Sequence, residues 1–391
     1  MTPHPNPLPQ GEREEKGETA KFAFLIHPLK IDDFARKYAF TRRLPSSLVE
    51  QVFKWIPPRL VSHITGIRSA TGARAEGWFI GLPLTPRTLM GSPLPFVYRR
   101  LIQAGRVAET QGARIFGLGA FTKIVGDRGM TLARNLSIAV TTGNSYTAAT
   151  AIEGALLAAA RMDIAPRNAT AAIIGATGSI GTVCSEMLAR SVGQLILVAR
   201  TREALDALAN RLRTGSRAHV DAQTDVRQAV RHADIVLTVS SATDVLIEPE
   251  DLRPGAVVCD VARPRNVSRR VYERRNDVLV MDGGVIEVPG EPDFGLDFGL
   301  PPRMVEACMA ETMILALEHR YENYTLGKDV SLSKVEEISG LARKHGFRLS
   351  GFRRFERAIT DEEVARIKRA ASRSVSPVYP VSPVSPVQNT E

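Results

Sequence analysis

The apolar residues of this chain fall into short runs that polar or glycine-rich segments separate. In the first third, three runs predict buried β-strands: KFAFLIHPL (21–29), GWFIGLPL (77–84) and ARIFGLGAF (113–121). Residues 95–112 lie between the last two runs, and their apolar positions recur with the 3.6-residue period of a helix. This part of the chain is therefore expected to form an α/β domain.

A second alternation of strands and helices starts at residue 170. The segment TAAIIGATGSIG (170–181) predicts a strand, a glycine turn and the start of a helix. Further strand-like runs span residues 194–200, 234–241, 256–262 and 277–284. Helical stretches separate several of these runs, which is typical of a parallel sheet with helices on both faces. The fold class predicted here is α/β, with a Rossmann-type doubly wound sheet.

The chain is expected to divide into two folded domains with disordered ends. An Ala-rich helix, which Asn144 or Ser145 can cap, joins the domains. Both ends are rich in proline and polar residues, which predicts disorder. The predicted parts are an N-terminal extension (1–20), an α/β substrate domain (21–145), a Rossmann-type domain with the linking helix and the helix of Cys308 (146–326), a C-terminal helical segment (327–373) and a tail (374–391).

Composition narrows the class of protein. The 391 residues are 44% hydrophobic and 24% charged, which is ordinary for a soluble globular protein. Three cysteines without close spacing argue against a disulfide framework and against a zinc site, so a reducing, cytoplasmic setting is expected. No apolar run reaches the roughly 20 residues of a membrane-spanning helix, so no integral membrane segment is expected.

The chain carries a formal net charge of +9, and its basic residues cluster at 263–275 and 353–373. No nucleic-acid-binding motif accompanies these clusters and aromatic residues make up only 6% of the chain, so nucleic acid is not an expected partner. A solvated basic face is one interpretation of the surplus. Docking of an acidic or phosphorylated partner is the other.

Three glycines, Gly175, Gly178 and Gly181, follow the first strand of the second alternation. The first permits a tight turn, the second lets the backbone approach a pyrophosphate, and the third lets the next helix pack closely on the sheet. Backbone N–H groups at the N-terminus of that helix then point at phosphate. The predicted phosphate-binding residues are Thr177, Gly178, Ser179 and Ile180. This arrangement predicts a dinucleotide site.

The segment after the next strand predicts which dinucleotide binds. NAD enzymes commonly place an acidic residue about 20 residues after the glycine loop. This chain has Arg200, Thr201 and Arg202 there. Two guanidinium groups and a hydroxyl can bind a ribose 2′-phosphate that a carboxylate would repel. NADPH is therefore the predicted cofactor.

Further candidates lie at the carboxyl ends of later strands, where ligands of open α/β sheets gather. Ser240, Ser241 and Gly283 occupy such ends and are predicted to contact the nicotinamide side of the cofactor. The alternative is that they serve only as turn residues.

Seven segments, in order and spacing, resemble the long-chain acyl-[acyl-carrier-protein] reductase family. They are GLGAFTKI (117–124), TTGNSYTA (141–148), IIGATGSIG (173–181), LILVAR (195–200), DGGVIE (282–287), EACMAE (306–311) and RKHGF (343–347). The resemblance spans about residues 22–347, and the build is similar to that of shikimate dehydrogenase and glutamyl-tRNA reductase. Lys123 and Tyr146 depart from it, since cyanobacterial members carry Ser and His there.

The resemblance implies that NADPH reduces a fatty acyl thioester to a fatty aldehyde through a cysteine thioester on the enzyme. Cys308 occupies the matching position. It further implies that the substrate is carried by acyl carrier protein or coenzyme A. Two alternatives stay open: a shikimate-dehydrogenase-like NADP oxidoreductase of a small hydroxy or amino acid, which needs no cysteine, and a non-catalytic NADP-binding module.

The residues alone leave Cys308 open between a nucleophile and a core residue, and the resemblance favours the nucleophile. Pro301 and Pro302 predict the start of its helix, which places Cys308 about two turns in, beyond the reach of the helix dipole. His319 lies about 16 Å further along the same helix, given a rise of 1.5 Å per residue, so it is not expected to act as the base.

Other polar residues have two interpretations each. Asn144 and Thr142 are predicted to donate hydrogen bonds to a substrate oxygen on which negative charge develops, with helix capping as the alternative. His27 is interpreted as a turn residue, with contact to the cleft as the alternative. Cys184 and Cys259 are predicted to be core residues.

Overall fold

The structure is a computed structural model of the chain, and it describes residues 18–29, 31–33, 39–242, 244–328, 330–355 and 357–374. Most of the two predicted disordered ends lies outside these residues. At their inner edges, Ala20 already belongs to a strand and Ser374 ends a helix. In the part of the chain that the structure describes, no helix is long and apolar enough to cross a membrane.

The strands and helices alternate along most of the chain. The strands are β1 (Ala20–Ile26), β2 (Arg59–Arg68), β3 (Arg74–Gly81), β4 (Ile115–Leu118), β5 (Ala139–Thr141), β6 (Thr170–Ile174), β7 (Gln194–Val198), β8 (His219–Gln223), β9 (Ile235–Thr238), β10 (Val257–Asp260), β11 (Leu279–Asp282), β12 (Val285–Glu287), β13 (Gly290–Asp293), β14 (Met304–Glu306), β15 (Arg348–Leu349), β16 (Arg353–Arg354) and β17 (Arg357–Ala358). The α-helices are α1 (Ser46–Trp55), α2 (Pro86–Gly91), α3 (Leu94–Thr110), α4 (Met130–Asn135), α5 (Asn144–Arg161), α6 (Ser179–Ala189), α7 (Arg202–Gly215), α8 (Val226–Arg231), α9 (Arg269–Arg274), α10 (Ala307–Leu317), α11 (Leu332–His345) and α12 (Asp361–Ser374). Short 3₁₀ helices span Ile31–Asp33, Ala39–Arg43, Ala120–Lys123, Pro166–Asn168 and Pro249–Asp251.

The first sheet is mixed and has six strands in the order β13-β2-β3-β1-β4-β5. β1 pairs in parallel with β3 and β4, whereas β2 is antiparallel to β3. Both faces of β1 are covered, because Phe22 and Phe24 enter one hydrophobic core while Ala23 and Leu25 enter another. The three predicted strands and the helix between the last two are confirmed as β1, β3, β4 and α3.

The second sheet is wholly parallel, with the order β11-β10-β9-β6-β7-β8 that a doubly wound nucleotide-binding fold requires. The predicted α/β class and Rossmann-type sheet are confirmed. The linking helix α5 also forms as predicted, but the residue that caps it is Gly143 rather than Asn144 or Ser145, and no side chain caps it.

The structure differs from the predicted division of the chain after β12. Strand β13 returns to the first sheet, where it pairs with β2. Helix α10 then packs against β1 and β4 of that sheet and against α5. Its approach to β4 is close enough that a side chain at Gly117 would overlap the Thr312 hydroxyl. The helix that carries Cys308 thus belongs to the N-terminal sheet by packing, although it follows the Rossmann strands in sequence.

Candidate active site

One large cavity lies between the two sheets at the carboxyl ends of their parallel strands. Its volume is about 1030 Å³, and both domains line it. The first domain contributes residues just after β1 and β4, such as His27 and Lys123. The second contributes the glycine loop after β6 and residues after β7, β9, β10 and β11. A cavity at this edge of two sheets is where α/β folds bind ligands.

The glycine loop has the backbone conformation that close approach to a ligand requires. Gly175 has a φ of +90°, and a Cβ atom there would lie 2.8 Å from the Cα atom of Ser240. A Cβ atom at Gly181 would overlap the carbonyl oxygen of Gly175, so the start of α6 can lie against the loop only because this residue is glycine. The N–H groups of Gly175 and Ala176 donate to the Val198 carbonyl at 2.8 and 3.0 Å, which ties the loop to β7. These residues fit a dinucleotide phosphate.

Most of the residues predicted to bind the cofactor line this cavity. They are Gly175, Thr177, Gly178, Ser179, Ile180, Arg200, Ser240, Ser241 and Gly283. Gly181 lies under the loop and contributes by packing. The structure brings this set together from four separate chain segments.

The two remaining residues predicted to bind the 2′-phosphate lie elsewhere. Thr201 precedes α7, and Arg202 in its first turn donates from Nε to Asp206 Oδ2 at 2.9 Å on the exposed face of that helix. Arg202 is exposed and does not line the cavity. Arg200 lines the cavity and has no ion pair within the described residues.

Cys308 lines the same cavity as the glycine loop. Its helix does not begin at the prolines, because residues 304–306 form β14 and pair with β12. The N–H of Ala307 then donates to the Gly284 carbonyl at 2.7 Å, and α10 starts there. Cys308 is therefore the second residue of the helix rather than two turns in, and the N-terminal dipole of α10 acts on its sulfur.

The charges around Cys308 act in opposite directions. Burial raises the pKa of its thiol, and the carboxylates of Glu306 and Glu311 raise that pKa further. The ammonium of Lys123 and the backbone N–H of Met309 lower it. The net pKa lies above the ordinary value for cysteine, so the resting group is a protonated thiol at neutral pH.

The chain matches known proteins along most of its length. Residues 157–282 match the family model described as shikimate / quinate 5-dehydrogenase. The long-chain acyl-[acyl-carrier-protein] reductase of Synechococcus elongatus is 31% identical over 306 residues, which cover 74% of this chain and 87% of that protein. The chain belongs to the long-chain acyl-[acyl-carrier-protein] reductase family.

The chain also matches parts of two longer proteins. The aminotransferase PigE of a Serratia strain is 31% identical over 359 residues, and this chain spans 42% of its length. A glutamyl-tRNA reductase of Methanococcus maripaludis is 30% identical over 174 residues, which cover 44% of this chain and 41% of that protein. Together with the glycine loop, these matches identify an oxidoreductase of the dehydrogenase and reductase type with a nicotinamide dinucleotide cofactor.

The turn before α5, within a segment that carries the family resemblance, lies directly against Cys308. Gly143 has a φ of +72°, and a Cβ atom there would overlap the Cα and Cβ atoms of Cys308. The next residue, Asn144, lines the cavity and is 3% exposed. Its Nδ2 lies 3.4 Å from Ser179 Oγ of the glycine loop, and its Oδ1 is buried without a hydrogen-bond partner. Asn144 thus contacts the cofactor loop and directly follows the glycine that packs against Cys308.

Thr142 does not occupy the position predicted for it. It is fully buried and is not among the residues that line the cavity. Its N–H and Oγ1 both donate to the Thr325 carbonyl, at 2.9 and 3.0 Å. These bonds engage the hydroxyl, so Thr142 holds the turn in place instead of facing substrate.

The two other cysteines are not reactive thiols, and neither His27 nor His319 is positioned as a base for Cys308. Cys184 and Cys259 have no exposed surface, and burial raises the pKa of both thiols far above the ordinary value. His319 is exposed at the far end of α10. His27 reaches the cavity, but burial lowers its pKa to about 4, its Nε2 accepts from the Phe121 N–H, and its Nδ1 lies 3.0 Å from the Pro28 carbonyl. Both of its ring nitrogens are engaged.

Sequence reasoning missed three residues around the thiol: Lys123, Gly143 and Glu311. Each lies within a segment that carries the family resemblance. The sequence does not show the packing of α10 on the first sheet, which brings Lys123 and Gly143 from two distant segments to the helix that carries Cys308 and Glu311. A cation, a glycine and a buried acid at these positions have no local signal of their function.

Proposed function

We propose that this protein reduces a fatty acyl thioester to a fatty aldehyde with NADPH, through a thioester on Cys308. The observation that carries the proposal is that the glycine loop and Cys308 line one cavity of about 1030 Å³. A cavity of this size can hold a nicotinamide and an acyl group together. Membership of the acyl-[acyl-carrier-protein] reductase family supports the choice of substrate.

In the first step the Cys308 sulfur attacks the carbonyl carbon of the acyl thioester. The new C–S bond forms as the bond to the donor thiol breaks, and the departing thiolate takes up the proton that Cys308 loses. The two sulfurs are similar as nucleophile and leaving group, so thiol exchange of this kind needs no strong base. The ammonium of Lys123 and the first turn of α10 stabilise the thiolate as it forms.

In the second step the acyl group leaves as an aldehyde. NADPH, when bound, supplies a hydride (a proton with two electrons) to the carbonyl carbon of the Cys308 thioester. The resulting alkoxide re-forms a C=O bond and expels Cys308 as a thiolate, which regains a proton from solvent. We expect the amide of Asn144 to stabilise the negative oxygen, since its side chain lines the cavity and contacts the glycine loop, and Gly143 beside it packs against Cys308.

The shikimate-dehydrogenase-like alternative rests on the match of residues 157–282, which span the Rossmann part alone. Such an enzyme has no use for a thiol beside the cofactor, and the N-terminal sheet would have to supply its catalytic residues. No observation at this site favours it over the thioester reaction.

Arg200 supports the preference for NADPH over NADH. A charged hydrogen bond to the 2′-phosphate contributes about 1.5–3 kcal/mol, so we expect NADPH to bind roughly 10- to 100-fold more tightly. Replacing Arg200→Asp should narrow or invert the preference, measured as the two dissociation constants by fluorescence titration. The matched Arg202→Asp variant should keep it, because Arg202 pairs with Asp206 outside the cavity. Equal affinities in the unmutated protein would contradict this choice of cofactor.

Lys123 is expected to set how readily Cys308 ionises. Alkylation of Cys308 by iodoacetamide should increase with pH, since the thiolate reacts, with a midpoint above the ~8.5 of free cysteine. Lys123→Met removes the ammonium that lowers the thiol pKa, so the midpoint should move to higher pH and acylation should slow. Peptide mass spectrometry across a pH series measures the alkylation midpoint. The variant Arg200→Met removes another cavity cation and should leave the midpoint unchanged; an unchanged midpoint in Lys123→Met would contradict the role of Lys123.

The basic surplus supports an acyl carrier protein as the donor. Arg269, Arg270 and Arg274 are exposed on and around α9, and Arg269 also lines the cavity. Arg269 and Arg270 form surface ion pairs with Glu273 and Glu248. Arg275 is different, because it is half-buried and donates to the carbonyl groups of Pro249 and Leu252 as well as pairing with Asp277. It is a structural residue rather than part of a docking face.

Charge complementarity mainly accelerates association, and salt weakens it. The KM for an acyl group on a carrier protein should therefore rise steeply between low and physiological salt, while the KM for the matching coenzyme A thioester changes much less. Reversal of Arg269, Arg270 and Arg274 to Glu should reproduce that difference at fixed salt, with Arg275 left intact. Identical salt dependence for the two donors would favour a merely solvated basic face.

A further inference from the structure

A buried carboxylate lies one helical turn beyond Cys308. Glu311 has no exposed surface, and a buried charge is tolerated only where hydrogen bonds compensate it. Its Oε1 accepts from Thr141 Oγ1 at 2.6 Å and from Thr325 Oγ1 at 3.0 Å, and its Oε2 accepts from the Tyr146 N–H at 2.8 Å. Burial raises the pKa of Glu311 above its ordinary value, and these three donors and the Lys123 ammonium offset only part of that rise. All three partners donate, which is the pattern an ionised carboxylate satisfies.

The three donors belong to separate elements that meet at the thiol. Thr141 ends β5, Tyr146 lies in the first turn of α5, and Thr325 lies in the loop between α10 and α11. Between the first two is the turn with Gly143, whose Cα lies so close to Cys308 that no Cβ atom fits. The bonds of Glu311 therefore fix the distance between the start of α10 and the start of α5.

We propose that Glu311 is a positioning residue, which holds Cys308 in register with Asn144 at the N-terminus of α5. The inference rests on the proposed acyl transfer to Cys308. Glu311 does not line the cavity, so it acts through the turn and not on substrate. Without it, the carbonyl carried on the sulfur would lose its alignment with the donors beside it.

Two variants separate position from charge. Glu311→Gln keeps the shape: its amide oxygen can accept from the Tyr146 N–H, and its NH₂ group can donate to threonine hydroxyls that rotate to accept. Glu311→Ala leaves all three donors without an acceptor. Single-turnover acylation of Cys308 should fall about 100-fold in Glu311→Ala, as expected for a misplacement near 1 Å, and only a few-fold in Glu311→Gln.

A second readout distinguishes positioning from a general structural role. Both variants remove a negative charge that raises the Cys308 pKa, so the midpoint of iodoacetamide alkylation should move to lower pH in both. Slower acylation by a more easily ionised thiol, with KM for the acyl donor nearly unchanged, is the expected signature of Glu311→Ala. The charged groups that act on the thiol in these assays are Lys123, Glu306 and Glu311.

If Glu311→Ala does not fold, a Thr141→Val, Thr325→Val double variant removes two donors at nearly constant volume. The control is Thr150→Val, whose hydroxyl bonds to the Tyr146 carbonyl in the same helix at 2.9 Å without touching Glu311. Acylation at the unmutated rate in Glu311→Ala or in the double variant would overturn the proposal, as would an equal loss in Glu311→Gln and Glu311→Ala. Failure of the unmutated protein to acylate would instead refute the proposed function, while the alkylation midpoints would still report on Glu311.

Discussion

Replacing Cys308→Ala is expected to abolish aldehyde formation, with kcat/KM for an acyl thioester falling by about 10⁴-fold or more, as for the loss of a covalent nucleophile. The reason is that hydride has no enzyme-bound thioester to reduce once the sulfur is gone. NADPH should bind the variant as it binds the unmutated protein, because no residue of the glycine loop changes. NADPH oxidation with an acyl thioester measures the first effect, and fluorescence titration measures the second.

The matched control is Cys184→Ala. Cys184 has no exposed surface and packs on α5, where its sulfur lies 3.9 Å from the Ala148 carbonyl. Its loss should lower the free energy of unfolding and leave the reaction intact. Activity that survives in Cys308→Ala would exclude the thioester route and favour an oxidoreductase that needs no cysteine.

The second large effect is expected from Gly143→Ala. Its backbone φ of +72° costs about 1–2 kcal/mol for a residue with a side chain. The added methyl group would also overlap the Cα and Cβ atoms of Cys308, which cannot move without α10. Overpacking of this kind costs about 1–3 kcal/mol, and a displaced thiol should slow acylation by about 100-fold. Urea unfolding and single-turnover acylation measure the two effects.

The variant Gly72→Ala is a control that has the cost of the backbone conformation without any steric overlap. Gly72 has a φ of +87°, and a Cβ atom there meets no atom within 4 Å. Its free energy of unfolding should fall by the cost of the positive φ alone, and Cys308 should acylate at the unmutated rate. If Gly143→Ala acylates as fast as Gly72→Ala, the close approach of the α5 turn to Cys308 has no catalytic consequence.

The Rossmann half could be predicted almost completely, because its strands are apolar runs bounded by glycine or polar turns. The exception is β8, an edge strand with the sequence HVDAQ, whose polar side chains are mostly accessible. In the first domain β2 was missed for a related reason. It pairs with β3 and β13 through irregular registers, and most of its side chains reach the surface. Neither strand buries enough apolar side chains to produce a recognisable alternation of apolar and polar residues.

The candidate site could be predicted as a set of residues but not as an environment. The prolines before Cys308 predicted an early helix start, yet the pairing of β14 with β12, about 20 residues apart in sequence, delays that start to Ala307. That one long-range pairing moves Cys308 into the first turn. Lys123 reaches the thiol only through tertiary packing. Glu311 is one turn away on the same helix, but the three donors that hold it come from other segments.

The most direct test of the acyl-enzyme is the intact mass of the protein after incubation with an acyl thioester in the absence of NADPH. We expect a gain of one acyl group, located on Cys308 by peptide mapping and lost as aldehyde when NADPH is added. Two observations would contradict it: an adduct on Cys184 or Cys259, or an unchanged mass in a protein that still oxidises NADPH with the same thioester.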